Sequence, residues 1–265
     1  FEVARLPDPS GGDTIAALET LIEARGGELA AVIVEPLLLG AGGMQVYDER
    51  VLQAMRTLTH DAGVHLIADE VLTGFGRTGP LFACERADIA PDLLCMSKGL
   101  TGGFMALGAT AATETIYDAF LSADRRQTFF HGHSYTANPI ACAAALAALQ
   151  LYDEDSEDNR VRIEVAHAHH LAKFNKHPGV KNTRQIGTVA VIELEATPGY
   201  LSAIGRELTA YALEEGVLLR PLGNVAYCLP PYCITDSELD RVYDVLRQFL
   251  DGARATGVVQ EQLRG

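Results

Sequence analysis

HisLeuIleAlaAspGlu at 65–70 decides how the rest of the chain is read. Leu66, Ile67 and Ala68 run together without polar alternation and stop at two carboxylates, Asp69 and Glu70. A short continuous apolar run suits a strand covered on both faces rather than one with a wet side. The same plan is found on either side of it. Ala30 to Val34 is apolar and closes in Glu35-Pro36, Leu93 to Met96 leads into Ser97-Lys98, and Ala106 to Ala112 is a fourth candidate strand. Helical periodicity fills the gaps. From Asp13 to Arg25 the residues Ile15, Leu18, Leu21 and Ile22 share a face, with Asp13 placed to cap the start and Gly26 the end. From Glu49 to Ala62 the inner side carries Val51, Leu52, Met55 and Leu58. Strand, helix, strand in this rhythm predicts an α/β fold with a mainly parallel sheet.

Further along, Asn138-Pro139 is a strong helix start, an N-cap residue followed by proline in the first turn. The Ala-rich helix it opens is expected to run to about Tyr152 and stop in the acidic stretch Asp153 to Asp158. Charged runs seldom belong to a core, so the domain boundary is placed there. Residues 1–155 then form the larger domain and 156–265 a small α+β domain. In the latter, Thr188 to Leu194 reads as a strand, Tyr200 to Glu215 as a helix, and Val217 to Leu229 as a hairpin turning near Gly223-Asn224. Thr235 with Glu238 makes a capping box for a last helix through Leu250, and the tail after Gly252 is expected to fray.

Composition bounds the function. Of 265 residues 48% are hydrophobic, enough for one large core or two smaller ones. Lys plus Arg number 21 against 35 Asp plus Glu, a formal net charge of −14. Such a surface repels nucleic acid and anionic membranes and suits a soluble cytoplasmic protein. No apolar run reaches spanning length. Five cysteines without CxxC spacing argue against a disulfide framework or zinc site. His131-x-His133 and His167-x-His169-His170 could suggest a metal. The latter lies on a predicted surface helix whose i and i+2 positions do not share a face, so a solvated face is the expectation.

In an open parallel sheet, ligands bind beyond the carboxyl ends of the strands. Glu35, Asp69 and Lys98 all fall at such ends. A lysine and a carboxylate from neighbouring strands can meet over one pocket, as pyridoxal 5′-phosphate requires. The lysine forms a Schiff base with its aldehyde, and the carboxylate keeps the pyridine nitrogen protonated. A structural ion pair between Asp69 and Lys98 is the other reading, and spacing leaves both open. GlyHisSerTyrThr at 132–136 directly precedes the Asn138-Pro139 helix start, where a helix N-terminus and a hydroxyl could receive a phosphate or merely turn the chain. GlyPheGlyArgThrGly at 74–79 spells GxGxxG after a strand, which makes a dinucleotide-binding enzyme the competing pattern. The acidic pair before it and the lack of a clear helix after it weaken that match.

Longer stretches carry a resemblance. IleValGluPro at 33–36 with GlyAlaGlyGly at 40–43, LeuIleAlaAspGluValLeuThrGlyPheGlyArgThrGly at 66–79, and SerLysGlyLeuThrGlyGly at 97–103 resemble class III aminotransferases of fold type I. LeuPheAlaCysGlu at 81–85, HisGlyHisSerTyrThrAlaAsnPro at 131–139 and ArgProLeuGlyAsnValAlaTyrCysLeuProProTyr at 220–232 narrow it to the diaminononanoate synthases of biotin biosynthesis. The resemblance implies a pyridoxal-phosphate enzyme that aminates 8-amino-7-oxononanoate with S-adenosylmethionine as donor, working as a homodimer with shared active sites. Relatives that use lysine as donor, or ω-amino acids, are the alternatives.

Carried over by motif, Lys98 is the Schiff-base lysine and proton shuttle, and Asp69 the partner of the pyridine nitrogen. Ser134, with the backbone after His133, is expected on the cofactor phosphate of the neighbouring subunit; several relatives have Thr there. Gly132 is expected near the substrate and Arg220 on its distal carboxylate, a task suited to a planar fork donor. Glu35 and Arg77 match motif positions expected to support the site. Tyr227 stands where many class III enzymes acting on α-amino acids or ornithine carry Arg, which argues against an acetylornithine or 4-aminobutyrate enzyme. The family also has a long N-terminal portion with an aromatic residue stacking on the cofactor and a small-residue loop on its phosphate. The resemblance begins partway through the large domain. The expectation is a piece of a longer protein, active only with its upstream segment, or an inactive remnant that keeps the dimer surface.

Overall fold

The computed structural model describes residues 2–199 and 201–255. In chain order the elements are α1 (Thr14–Arg25), β1 (Ala31–Val34), β2 (Leu38–Leu39), β3 (Gln45–Val46), α2 (Glu49–Asp61), β4 (His65–Asp69), α3 (Ala83–Arg86), β5 (Leu93–Met96), β6 (Ala109–Ala112) and α4 (Glu114–Asp118). There follow α5 (Pro139–Gln150), α6 (Glu154–Phe174), β7 (Val180–Ile186), β8 (Val189–Leu194), α7 (Ala203–Glu214), β9 (Val225–Cys228) and α8 (Asp236–Ala255). The chain forms two compact units. One comprises Phe1–Leu37, Tyr47–Phe75 and Pro80–Asp153; the other comprises Leu38–Val46, Gly76–Gly79 and Glu154–Gly265. No helix among the described residues is long and apolar enough to cross a membrane.

In the first unit the strand order is β1-β4-β5-β6. β1, β4 and β5 run parallel, with Val34 opposite Ala68 and Asp69 opposite Cys95. β6 is antiparallel to β5, so the sheet is mainly rather than wholly parallel. The reason is the connection: a parallel neighbour needs a crossover, usually a helix, whereas β5 and β6 are joined by one tight turn and a short loop. The α2 helix covers the sheet with Leu52 and Met55 fully or nearly buried. Its start is capped by Asp48, whose carboxylate accepts the Arg50 N–H at 2.9 Å. Asp13 adjoins α1 without capping it through its side chain; its carbonyl accepts the Ala17 N–H instead. Asn138 does cap α5, accepting from Ile140 N–H at 2.9 Å and Ala141 N–H at 3.4 Å.

The second unit's long C-terminal part begins inside the acidic stretch, at Glu154. Glu154, Asp155 and Glu157 form the first turn of α6, where carboxylates meet the positive end of the helix dipole. The sheet order is β7-β8-β9, all antiparallel. β7 carries ValLysAsnThrArgGlnIle at 180–186, too polar to announce itself by hydrophobic alternation. Ile192, Leu194, Leu208, Leu239 and Leu246 make the heart of the core, with α6, α7 and α8 packed around. The expected hairpin from Val217 to Leu229 does not form. Only the Leu222–Val225 bridge closes around Gly223, and β9 pairs with β8 instead. Thr235 and Glu238 make the reciprocal capping box, Thr235 N–H to Glu238 at 2.8 Å and Glu238 N–H to Thr235 Oγ1 at 3.3 Å. The last helix continues past Leu250 to Ala255; the rest of the tail expected to fray, and Tyr200 of the expected helix start, lie outside the described residues.

The histidines of α6 also differ from expectation. His167 and His170 are buried, on the stripe with Ile163, Leu171 and Phe174, and only His169 faces solvent. His167 Nε2 lies 3.1 Å from the Thr188 carbonyl oxygen and its Nδ1 2.6 Å from the Tyr243 hydroxyl. The His170 ring stacks on Tyr243 at 4.1 Å, with its Nε2 2.9 Å from Asp240. Positions 163, 167, 170, 171 and 174 share one face by their spacing of three, four and seven, and the neighbouring core makes that face the inner one rather than the solvated one expected.

Candidate active site

Three strands of the first unit deliver polar residues to one edge. Glu35 follows β1, Asp69 ends β4, and Lys98 comes two residues after β5. Since β4 and β5 are parallel neighbours, Asp69 and Lys98 leave the same edge of the sheet side by side. They form no salt bridge with each other. The Lys98 amine is exposed and has no partner among the described residues, and Asp69 Oδ1 accepts the Val71 N–H at 3.1 Å. The structural ion pair is therefore not what occupies these two groups.

Lys98 is held in an unusual turn. Its φ is +42°, the left-handed region that side chains disfavour, at a cost of order 1–3 kcal/mol met by the surroundings. The turn Lys98–Thr101 is closed by Leu100 N–H to Ser97 O at 2.9 Å and Gly103 N–H to Lys98 O at 3.3 Å. Ser97 Oγ donates to Leu107 O at 2.7 Å and Thr101 Oγ1 to Met105 O at 2.5 Å, pinning both ends. Gly99 rests on Phe75: a Cβ there would come within 2.9 Å of the Phe75 Cβ, so no larger residue fits. Phe75 in turn packs edge-on against Phe82 at 5.6 Å, and Leu100 and Ala145 of α5 complete the small core beneath.

The glycines at 74–79 thus serve the chain's own packing. A Cβ on Gly74 would meet the Glu70 carbonyl at 2.8 Å, and Gly76 and Gly79 have φ of +88° and +113°. The next helix, α3, starts only at Ala83 and spans four residues, so no long helix opens after the motif as a dinucleotide site requires. Glu70 was not singled out from the sequence as a site residue. It is fully buried, and the signal for it is the AspGlu pair itself, since consecutive strand residues face opposite sides.

Gly132, His133 and Ser134 lie in an exposed loop ahead of α5. Thr136 N–H bonds to His133 O at 3.0 Å and His133 N–H to Thr136 Oγ1 at 2.9 Å, while the Ser134 hydroxyl and N–H stay unused. Asn138 already takes the first N–H groups of α5, so the unbonded donors here are those of the loop rather than of the helix end. Phe104, Phe130 and Tyr135 are each at least 75% exposed on the same unit.

Arg220 and Tyr227 belong to the second unit. Arg220 is exposed ahead of the Gly223 turn and has no ion-pair partner among the described residues. Tyr227 is half-buried on β9, opposite Val191, on the face away from the core residues Ala226 and Cys228. Arg77 in the same unit donates to Pro230 O at 2.6 Å and lies 4.7 Å over the Tyr232 ring, and its carbonyl accepts the Thr188 N–H at 2.9 Å.

A lysine and a carboxylate thus leave one end of the parallel sheet uncommitted to each other. The chain belongs to the aminotransferase class-III family, whose profile matches residues 5–250. It is 49% identical over 263 residues to the adenosylmethionine-8-amino-7-oxononanoate aminotransferase of Synechococcus elongatus, covering 95% of this chain and 61% of that protein. The crystal structure of the enzyme of that name from Methanocaldococcus jannaschii superposes with a TM-score of 0.85 at 33% identity, over 92% of this chain and 59% of that one. An amine transaminase from an uncultivated Pseudomonas species, solved in its PLP-bound form, gives 0.84 at 31% identity, over 93% and 59%. The chain thus spans about three fifths of the length of these relatives.

Proposed function

We propose that the protein is a pyridoxal-phosphate-dependent aminotransferase of biotin biosynthesis, which converts 8-amino-7-oxononanoate to 7,8-diaminononanoate with S-adenosylmethionine as amino donor. The observation that carries this reading is the pair Asp69 and Lys98, delivered by neighbouring parallel strands without bonding to each other. The donor set fits the cofactor: a free amine, a carboxylate with one oxygen uncommitted, and an exposed hydroxyl with unused donors at Ser134. Pyridoxal phosphate, when bound, supplies an aldehyde that links covalently to amines and a protonated ring that accepts an electron pair.

Lys98 is the group that holds the cofactor and carries a proton at Nζ in both half-reactions. Asp69 would face the ring nitrogen with its uncommitted oxygen and keep that nitrogen protonated. Ser134 and the backbone following His133 bind the phosphate, in a homodimer where each subunit completes its neighbour's site. The exposed Phe130 and Tyr135 beside that loop support such a partner. Gly132 leaves room for the substrate, and Tyr227 lines its path. A cytoplasmic location accords with the acidic charge. Borohydride reduction of the coloured holoprotein is expected to fix the cofactor on the peptide that contains Lys98. Label on another lysine overturns the assignment.

Arg220 reads the keto acid. A long-chain substrate carries its carboxylate far from the reacting ketone, and a guanidinium free of other partners can set its register. Such a charge-assisted, forked pair is worth about 1.5–3 kcal/mol. In the whole enzyme, Arg220→Ala is expected to slow the half-reaction with 8-amino-7-oxononanoate roughly ten- to a hundredfold, and the donor half-reaction much less. Single-turnover absorbance measurements separate the two. Equal slowing of both halves removes Arg220 from substrate recognition.

A further inference from the structure

Glu70 follows Asp69 directly, yet it faces the interior while Asp69 stays partly open. Its side chain is fully buried and both oxygens are engaged. Oε2 accepts from the Thr73 hydroxyl at 2.5 Å, and Oε1 accepts the Cys84 N–H, at the start of α3, at 2.8 Å. Its backbone is engaged as well: Glu70 N–H donates to Cys95 O of β5, and Glu70 O accepts the Gly74 N–H, both at 3.0 Å. A buried carboxylate is costly to desolvate, and here its partners are Thr73, within the turn from Glu70 to Gly74, and the Cys84 N–H, which ties that turn to the start of α3. Thr73 is itself fully buried, and Gly74 is pressed so closely on the Glu70 carbonyl that a Cβ would stand 2.8 Å away. The turn therefore has one shape.

Val71 lies within that turn, and its N–H is the group that meets Asp69 Oδ1 at 3.1 Å. This bond occupies one oxygen of Asp69, fixes the rotamer, and leaves Oδ2 as the acceptor. We propose that Glu70 is a positioning residue: by locking the turn it holds Val71 N–H against Asp69 and so aims the carboxylate that receives the cofactor's ring nitrogen. The inference rests on the reading of Asp69 given under the proposed function. It assigns to the second carboxylate of the AspGlu pair a role in the site that it never touches.

The test uses the whole holoenzyme with Glu70→Ala, Glu70→Gln, Thr73→Val and Asp69→Asn. The readouts are cofactor affinity by titration, the pH dependence of the bound cofactor's visible absorption, and amide exchange of the peptide containing Val71. Glu70→Ala is expected to weaken cofactor binding about tenfold, move the pH profile and speed exchange at Val71. Glu70→Gln can still accept from Cys84 N–H and donate to the Thr73 hydroxyl, so it is expected to stay within about threefold of the parent. Thr73→Val removes one donor at nearly constant volume and is expected to fall between them, which decides the matter should Glu70→Ala not fold. The inference is overturned if Glu70→Ala, or Thr73→Val in its place, lowers thermal stability while affinity and pH profile stay those of the parent. Asp69→Asn separates the two claims. If it changes affinity and pH profile while the Glu70 and Thr73 variants do not, only the positioning role falls. If Asp69→Asn leaves both unchanged, the reading of Asp69 falls, and the positioning role with it.

Discussion

Replacing Lys98 by Ala in the whole enzyme is expected to reduce the proposed transamination by roughly 10⁴-fold or more, because in the proposed function one group supplies both the covalent anchor and the proton transfer. Lys98→Arg is expected to be nearly as inactive. It keeps the charge, but a guanidinium does not deprotonate and cannot join an aldehyde. The structure gives reason to expect a clean result. Lys98 is exposed and without partners among the described residues, so its side chain contributes little packing, and the left-handed backbone of its turn is set by Ser97, Gly99, Thr101 and Gly103 rather than by the amine. The Ala variant is therefore expected to fold, to bind the cofactor reversibly, and to lose it on dialysis. A small amine added from solution is expected to restore part of the proton transfer. Activity within tenfold of the parent, with no added amine, removes Lys98 from the chemistry.

The second large effect concerns stability and pH. His167 is fully buried, and its pKa is pushed down to about 4 from the ordinary 6.5, first by burial and further by neighbouring His170, against the hydrogen bond to the Thr188 carbonyl. Neutral His167 fits its site: Nε2–H donates to that carbonyl and Nδ1 accepts from the Tyr243 hydroxyl. The unfolded chain takes up the proton first, near pH 6.5, and the folded one only near 4. Stability from this group is thus complete above pH 6.5, declines as the pH falls toward 4, and levels off below. A separation of this size corresponds to about 3 kcal/mol. His170 shifts in the same direction, mainly by burial, with the nearby Asp240 opposing. Urea unfolding at pH 7, 5.5 and 4.5 is expected to show the loss, and His167→Gln to show a shallower one on top of a lower starting stability. Parallel curves for parent and variant rule out His167 as the titrating group.

The network around His167 reaches further than its own helix. Thr188, whose carbonyl His167 holds, donates its N–H to the carbonyl of Arg77, and a Cβ on Gly187 would lie 2.5 Å from that same oxygen. The turn between β7 and β8 is therefore a close backbone seat for residues 76–79, and Arg77 is fastened again at Pro230 and over Tyr232. The residues read from the sequence as a glycine-rich phosphate motif find their use here, as a segment whose glycines permit the approach.

What the sequence by itself determined is what local interactions decide. β1, β4 and β5 follow from continuous apolar runs, and α2 from a period of 3.6. The starts of α5 and α8 follow from Asn138-Pro139 and from the Thr235–Glu238 box, because a cap and its N–H groups lie within four residues. The strand-end positions of Glu35, Asp69 and Lys98 are legible on the same basis. Whether Asp69 and Lys98 bond to each other was not, since that depends on side chains reaching across two strands. Only the tertiary structure decided the direction of β6, the existence of polar β7, the inward face of His167 and His170, and the turn by which Glu70 and Val71 hold Asp69. Each depends on which residue far along the chain comes to lie opposite: Cys84 for Glu70, Thr188 and Tyr243 for His167, Phe75 for Gly99. Periodicity states that a helix has two faces, but only the partner that packs on it determines which one is kept from water.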